Sequence, residues 1–318
     1  MNKLKLYFVI ISVTLVLFSC NKADDVTPVP IRDYAVQNAI DNTTIEDYLK
    51  SYRIEQDGLT VGQEIKLSKI DDPSQHSLMS LYDATGTSPV FPKLLSVNVS
   101  LNDIIYKIYY LKMRDDNPLG VAPSRIDEVL TAYAGSYLQD NTTTTAGVPT
   151  YDVVATSFDS VLYPTVPIGL DRTIKGWPEI FPLFKTGNYD PTQTTGPAVY
   201  NNYGAGVMFI PSGLAYFYQA VGTIPSYSPL VFTFKLYDMR KADQDGDGIY
   251  SDDEDLNHNG IFTDDDTDGD GKQNYLDIDD DGDGYLTKDE IHKNADGTII
   301  FEDTDGDGIP NYLDSNNH

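Results

Sequence analysis

The last part of this 318-residue chain cannot build an ordinary apolar core. From Asp243 to His318 there are 25 aspartates and glutamates against 3 lysines, whereas residues 1–242 carry 24 acidic and 19 basic side chains. Most of the formal net charge of −27 therefore lies beyond a composition boundary at Asp243. Carboxylates at this density repel one another unless cations sit among them. They also repel phosphate backbones, so nucleic acid is not an expected partner.

The acidic residues recur in register with glycine. Asp243, Asp245, Asp247, Gly248 and Glu254 occupy positions 1, 3, 5, 6 and 12 of a calcium loop, with Ile249 at the backbone-carbonyl position. Asp279, Asp281, Asp283, Gly284, Tyr285, Leu286 and Glu290 repeat the pattern. Weaker copies begin at Asp255, with Asn257 and Asn259; at Asp266, with Asp268, Asp270 and Asp277; and at Asp303, with Asp305, Asp307 and Asp314. Hard oxygen ligands can crowd one cation there, while glycine permits the sharp turn. Successive starts lie 12, 11, 13 and 24 residues apart, too close for the paired long helices of EF-hand domains. The segment 243–318 resembles thrombospondin type 3 or dockerin-like repeats, Asp303 to Asp314 most closely. The resemblance implies structural rather than switching calcium.

At the other end, Lys3 and Lys5 precede an apolar run from Leu6 to Phe18, which is too short to span a bilayer, followed by Ser19-Cys20. This resembles a bacterial lipoprotein signal, with residues 1–19 removed and Cys20, the single cysteine, acylated. More than one acyl chain anchors stably, at about 0.8 kcal/mol per buried methylene. Residues 20–32 then read as a tether, and the expected location is the outer membrane, on its periplasmic face or at the cell surface.

Residues 33–124 read as an extension containing a helix and a hairpin. Thr43-Thr44-Ile45-Glu46 matches a capping box, and Ile45, Tyr48, Leu49 and Tyr52 follow at helical spacing, predicting a short amphipathic packing helix. Val97, Val99 and Leu101 alternate with polar residues, Asn102-Asp103 can turn, and Ile104 to Met113 is β-branched and aromatic, predicting a hairpin. Residues 114–124, 139–150 and 187–206 read as loops. Leu230, Phe232, Phe234 and Leu236 alternate with Val231, Thr233 and Lys235, which predicts a strand with one face in a core.

Residues 125–241 carry an ordered aromatic set: Tyr133-Ala134-Gly135, Phe158-Asp159, Ile174-Lys175-Gly176-Trp177, Ser212-Gly213-Leu214-Ala215-Tyr216, Ile224 and Phe232. Together they read as a pocket the size of a proline ring. The set resembles FKBP-type peptidyl-prolyl cis-trans isomerases, with Trp177 and Tyr216 in the family's Ile-x-Gly-Trp and Leu-Ala-Tyr turns. The resemblance implies an α+β fold, an antiparallel sheet wrapped around a short helix. It assigns Trp177 to the pocket floor, Tyr133 and Phe158 to the wall, and Asp159 to the polar rim. The Ile174 N–H and the Tyr216 hydroxyl become donors to substrate carbonyls, and Ile224 and Phe232 complete the enclosure. The chain departs from the family pattern at four places. Tyr163 is the candidate for a second wall phenylalanine, Thr173 replaces valine, Phe217 replaces glycine, and Pro182 falls inside the short helix.

The expected activity is prolyl isomerisation of exported proteins, with no cofactor for catalysis. Of four histidines only His76 lies in the body, which leaves Ser-His-Asp and Cys-His chemistry without support. The alternatives are a non-catalytic chaperone or adhesion lipoprotein that binds proline-containing chains, and a surface glycan-binding module built on exposed tyrosines. Nothing in the sequence specifies an oligomeric state.

Overall fold

A computed structural model describes residues 30–55, 64–141, 143–150, 152–192, 195–196, 198–295 and 297–318. The signal, Cys20 and most of the tether lie outside the described residues. The chain divides into two units, Met1–Arg32 and Asp33–His318. Of the first, only Pro30, Ile31 and Arg32 are described, all exposed and without regular structure. Among the described residues, no helix is long and apolar enough to cross a membrane.

The second unit is built on an antiparallel sheet. Its strands are β1 (Lys93–Leu101), β2 (Ile104–Lys112), β3 (Glu128–Asp140), β4 (Val153–Val161), β5 (Ile168–Gly169), β6 (Gly204–Ile210) and β7 (Leu230–Arg240). The spatial order is β1-β2-β6-β7-β3-β4, with β5 also paired to β3. The predicted hairpin is β1–β2, and Asn102 and Asp103 both adopt left-handed φ, 54° and 59°, as a tight two-residue hairpin turn requires. Because β2 pairs with β6 from Gly206 to Phe209, the hairpin belongs to the sheet that carries the aromatic set.

Both faces of this sheet are covered, so β6 is buried along its whole length and β7 over most of it. Met208, Ile210, Phe232 and Phe234 pack on one face with Trp177, Ile180 and Phe181, while Val207, Phe209 and Val231 pack on the other with Ile45, Tyr48 and Leu49. The single-face expectation for β7 is therefore corrected. Even Lys235 is buried, its ammonium paired with Glu64.

The second face is covered by α1 (Tyr34–Ser51). This helix starts nine residues before the predicted capping box. Its N-cap is Asp33, whose carboxylate accepts from the Ala35 and Val36 N–H groups. The buried stripe runs through Gln37, Asp41, Thr44, Ile45 and Tyr48, so its first two turns bury polar side chains and lack the apolar period that marks a helix in sequence. Tyr52 leaves the helix for a short strand, Tyr52–Ile54.

The first face receives α2 (Gly176–Ile180), which passes directly into a 3-10 turn at Phe181–Leu183. Pro182 lies in that turn, where its missing N–H cannot extend the α-helical hydrogen-bond ladder. A Cβ on Gly176 would stand 2.6 Å from the Ile210 side chain, so only glycine lets α2 sit this low on the sheet. Segment 139–150 is more regular than a loop, since β3 continues into a hairpin of Thr143–Thr145 with Val148–Thr150. The last residues of segment 187–206 already belong to β6.

Candidate functional site

A cavity of about 300 Å3 opens between α2 and the sheet, lined by Tyr133, Phe158, Asp159, Ile168, Arg172, Thr173, Ile174, Trp177, Tyr216 and Phe232. This is the small end of the usual range for ligand pockets, about 300–1,000 Å3. A larger groove of about 440 Å3 elsewhere is bounded by Asp83, Lys93, Lys112, Asp115 and Asp116, a charged wall poorly suited to desolvating an amide.

Seven of the eight predicted pocket residues line the cavity. Ile224 does not; it is a core residue, 4% exposed, in the same buried cluster as Trp177 and Phe232. Tyr163, the candidate second wall, points to solvent at 76% exposure, because it lies beyond the end of β4 at Val161, past the Phe158-Asp159 pair that lines the cavity. Sequence reasoning missed Ile168 and Arg172 as lining residues. Thr173 was noted only as a substitution, although it lies in the Thr173-Ile174-Lys175-Gly176-Trp177 run that signals the site.

Phe158 and Asp159 are adjacent in a strand, and adjacent side chains normally face opposite ways. Here Gly135 pairs with Asp159 and Ser136 with Ser157, leaving Phe158 as the extra residue of a β-bulge. The bulge allows both side chains to line one cavity. Gly135 is the necessary partner, because a Cβ there would stand 2.7 Å from ring atoms of both Phe158 and Phe232.

The rings meet edge to face. Trp177 is 5.2 Å from Tyr133 and 5.2 Å from Phe232, at 81° and 86°, and Phe158 meets Phe232 at 90°. Such contacts hold a cavity open because each ring stops its neighbour from collapsing into it. The indole Nε1 of Trp177 is buried with no hydrogen-bond partner among the described residues. The Tyr133 hydroxyl donates to Asp159 Oδ2 at 2.7 Å. Burial first, and the Asp159 carboxylate second, push the Tyr133 phenol up to about 12. The Ile174 carbonyl accepts from Trp177 N at 3.0 Å and ties the floor to the rim.

Tyr216 follows a 3-10 turn at Ser212–Leu214. Phe217, where the resembled family has glycine, sits at a left-handed φ of 51°. Its ring stacks on Tyr34 of α1 at 4.3 Å and 15° and meets Tyr227 edge-on, contacts a glycine could not make.

The acidic segment forms turns of one repeated shape. The side chain at position 9 accepts from the N–H at position 2 in four loops: Ser251 from Gln244, Asn274 from Thr267, Thr287 from Asp280 and Asn311 from Thr304. Gly248, Gly271, Gly284 and Gly308, all at position 6, have φ between 96° and 103°, a conformation that L side chains rarely adopt. Position-1 carboxylates fold over their own loops, Asp303 accepting from both Gly306 and Gly308 N–H groups. In the weaker copy, Asp255 accepts from Asn259 and Gly260 in the same manner.

Three loops gather their position 1, 3 and 5 aspartates within 4.8 Å of one another in sets unique to each loop: Asp266, Asp268 and Asp270; Asp279, Asp281 and Asp283; and Asp303, Asp305 and Asp307. The first loop does the same with Asp243, Asp245 and Asp247, and a further set joins Asp247 and Glu254 to Asp280. Glu290 is pushed up to about 7, by burial and then by Asp281, Asp283 and Asp279. Asp277 turns instead to Lys272, 3.0 Å away, and Asp314 accepts from Asn316 N at 3.1 Å. Tyr285 is half exposed, while the Ile249 side chain is fully buried.

This segment docks on the body. Asp127 accepts from Ala242 N at 3.1 Å and from Ser124 N at 2.7 Å. Arg125 bridges Glu179 of α2, at 2.8 Å, to the Gly260 carbonyl at 3.4 Å.

A family model described as BamM C-terminal matches residues 244–301. It covers well under half of the chain and is neither of the repeat families that the sequence resembles. No curated protein matches the chain. Among solved structures, a peptidyl-prolyl cis-trans isomerase from Pseudomonas syringae pv. tomato is 21% identical at a TM-score of 0.29, the match covering 42% of this chain and 76% of that one. FkpA from Escherichia coli is 26% identical at a TM-score of 0.29, covering 42% of this chain and about half, 48%, of FkpA.

Proposed function

We propose that this chain is a peptidyl-prolyl cis-trans isomerase of the bacterial envelope, acting on exposed X-Pro bonds of exported proteins. The supporting observation is the cavity itself, with the Trp177 indole at its base, Phe158, Phe232 and Tyr133 edge-on around it, and the Asp159–Tyr133 pair at its rim.

Rotation about an X-Pro amide faces a barrier of about 20 kcal/mol because resonance gives the C–N bond double-bond character. It breaks no σ bond, so weakening that resonance is sufficient catalysis. The planar amide is charge-separated, and an apolar cavity disfavours it relative to the twisted form, in which resonance is lost. The prolyl ring would stack over Trp177. The Ile174 N–H and the Tyr216 hydroxyl would each hold a substrate carbonyl, fixing the chain on one side of the rotating bond. Asp159, held by Tyr133, would face the amide as its charge redistributes.

The acidic loops would hold structural calcium, which takes six to eight oxygens in flexible geometry, and Cys20 would carry the lipid anchor. Extracellular modules of this kind bind in the range of about 0.1–1 mM.

The test is a protease-coupled turnover assay on a proline peptide, with Trp177 fluorescence reporting binding. Wild type should accelerate isomerisation, and Asp159→Ala and Tyr216→Phe should lose rate. Quenching of Trp177 without acceleration would replace the enzyme with a binder of proline-containing chains; neither signal would overturn both.

A further inference from the structure

The loop pattern assigns every acidic ligand to its own loop, and one carboxylate breaks that rule. Asp279 and Asp281 belong to the fourth loop's own set, but Asp280, between them, gathers with Asp247 and Glu254 of the first loop, the ligand oxygens lying within 4.8 Å of one another. All three are sealed from solvent, at 2% for Asp280, 2% for Asp247 and 1% for Glu254.

Their hydrogen bonding is incomplete in a way that points to a cation-binding role. Both carboxylate oxygens of Glu254, both of Asp280 and Oδ2 of Asp247 are buried with no hydrogen-bond partner among the described residues. Among the described residues, no lysine, arginine or histidine forms an ion pair with any of the three. Buried carboxylates without partners are strongly destabilising, and three together add mutual repulsion. The backbone of Asp280 is fixed by its N–H, which donates to Thr287 Oγ1 at 3.1 Å.

We propose that Asp247 and Glu254 of the first loop and Asp280 of the fourth bind one calcium ion between them, so that a single buried cation staples two loops 24 residues or more apart in sequence. This rests on the reading of the acidic loops as calcium sites. The oxygen-only donor set, its three negative charges and its burial suit a hard divalent cation that sheds its water readily, which favours calcium over magnesium. The ion also explains how a segment so rich in like charge closes on itself rather than extending. The first loop, adjoining β7, becomes the anchor on which the fourth is fixed.

The test is calcium uptake by the full chain, counted by equilibrium dialysis, for wild type, Asp280→Asn and the exposed neighbour Asp289→Asn. Asp280→Asn should bind one calcium fewer per chain and Asp289→Asn the wild-type number. An unchanged count in Asp280→Asn would overturn the shared site and leave the loops standing; a wild type that takes up no calcium would overturn both. Should Asp280→Asn fail to fold, the wild-type chain crystallised with calcium decides. An ion at about 2.3–2.6 Å from oxygens of all three residues is expected, and filled loops with no ion bound to Asp280 would refute it.

Discussion

Asp41 Oδ2 accepts two hydrogen bonds from one residue, the N–H and the hydroxyl of Ser212, both at 2.7 Å. Asp41 lies on α1 and Ser212 opens the turn that delivers Tyr216 to the cavity, so the helix on one face of the sheet holds a wall of the site on the other. Asp41→Ala would leave the buried Ser212 donors unsatisfied, at a cost of about 2–4 kcal/mol. A lowered denaturant midpoint and weaker proline-peptide binding are the expected outcome, while an unchanged peptide affinity would separate the helix from the site.

The bulge at Phe158 depends on Gly135. Gly135→Ala places a methyl 2.7 Å from two rings that are themselves in contact, and overpacking of this kind costs about 1–3 kcal/mol. The rings must shift, so the variant should bind proline peptides at least several-fold more weakly, even where it is folded by circular dichroism.

Tyr133 supplies a pH signature. Its phenol is raised to about 12 in the fold, against about 10 in an unfolded chain. A group raised on folding contributes stability that is fully present below the unfolded value and is lost as pH rises through the folded one. The Tyr133 contribution therefore holds to about pH 10 and fades by about pH 12. In a spectrophotometric phenolate titration, Tyr133→Phe should remove one late-titrating tyrosine, and Asp159→Asn should shift that tyrosine to lower pH. Loss of an early-titrating group instead would contradict the pairing.

Chelation should loosen the acidic segment while sparing the sheet. Without cations its carboxylates repel, whereas the body keeps two apolar layers that owe nothing to metal. Limited proteolysis in EDTA should cut rapidly beyond Lys241 and leave residues 33–241 resistant. Digestion patterns identical with and without EDTA would count against structural calcium.

Sequence alone was enough for features made by neighbours in the chain. The Asn102-Asp103 turn and the glycine-marked acidic loops are set by local backbone preference, and each appears where residue order predicts it. What tertiary structure decided depends on partners far away in the chain. The start of α1 was hidden because its first turns bury Gln37 and Asp41 against a distant turn instead of apolar side chains. Ile224 went into the core and Tyr163, beyond the end of β4, to solvent, because the surrounding fold, rather than residue type, decides which side chain reaches the cavity. The meeting of Asp280 with Glu254, like that of Asp41 with Ser212, is a long-range contact between polar groups. Such contacts leave no periodicity in sequence, since one buried carboxylate looks the same as an exposed one until the chain folds around it.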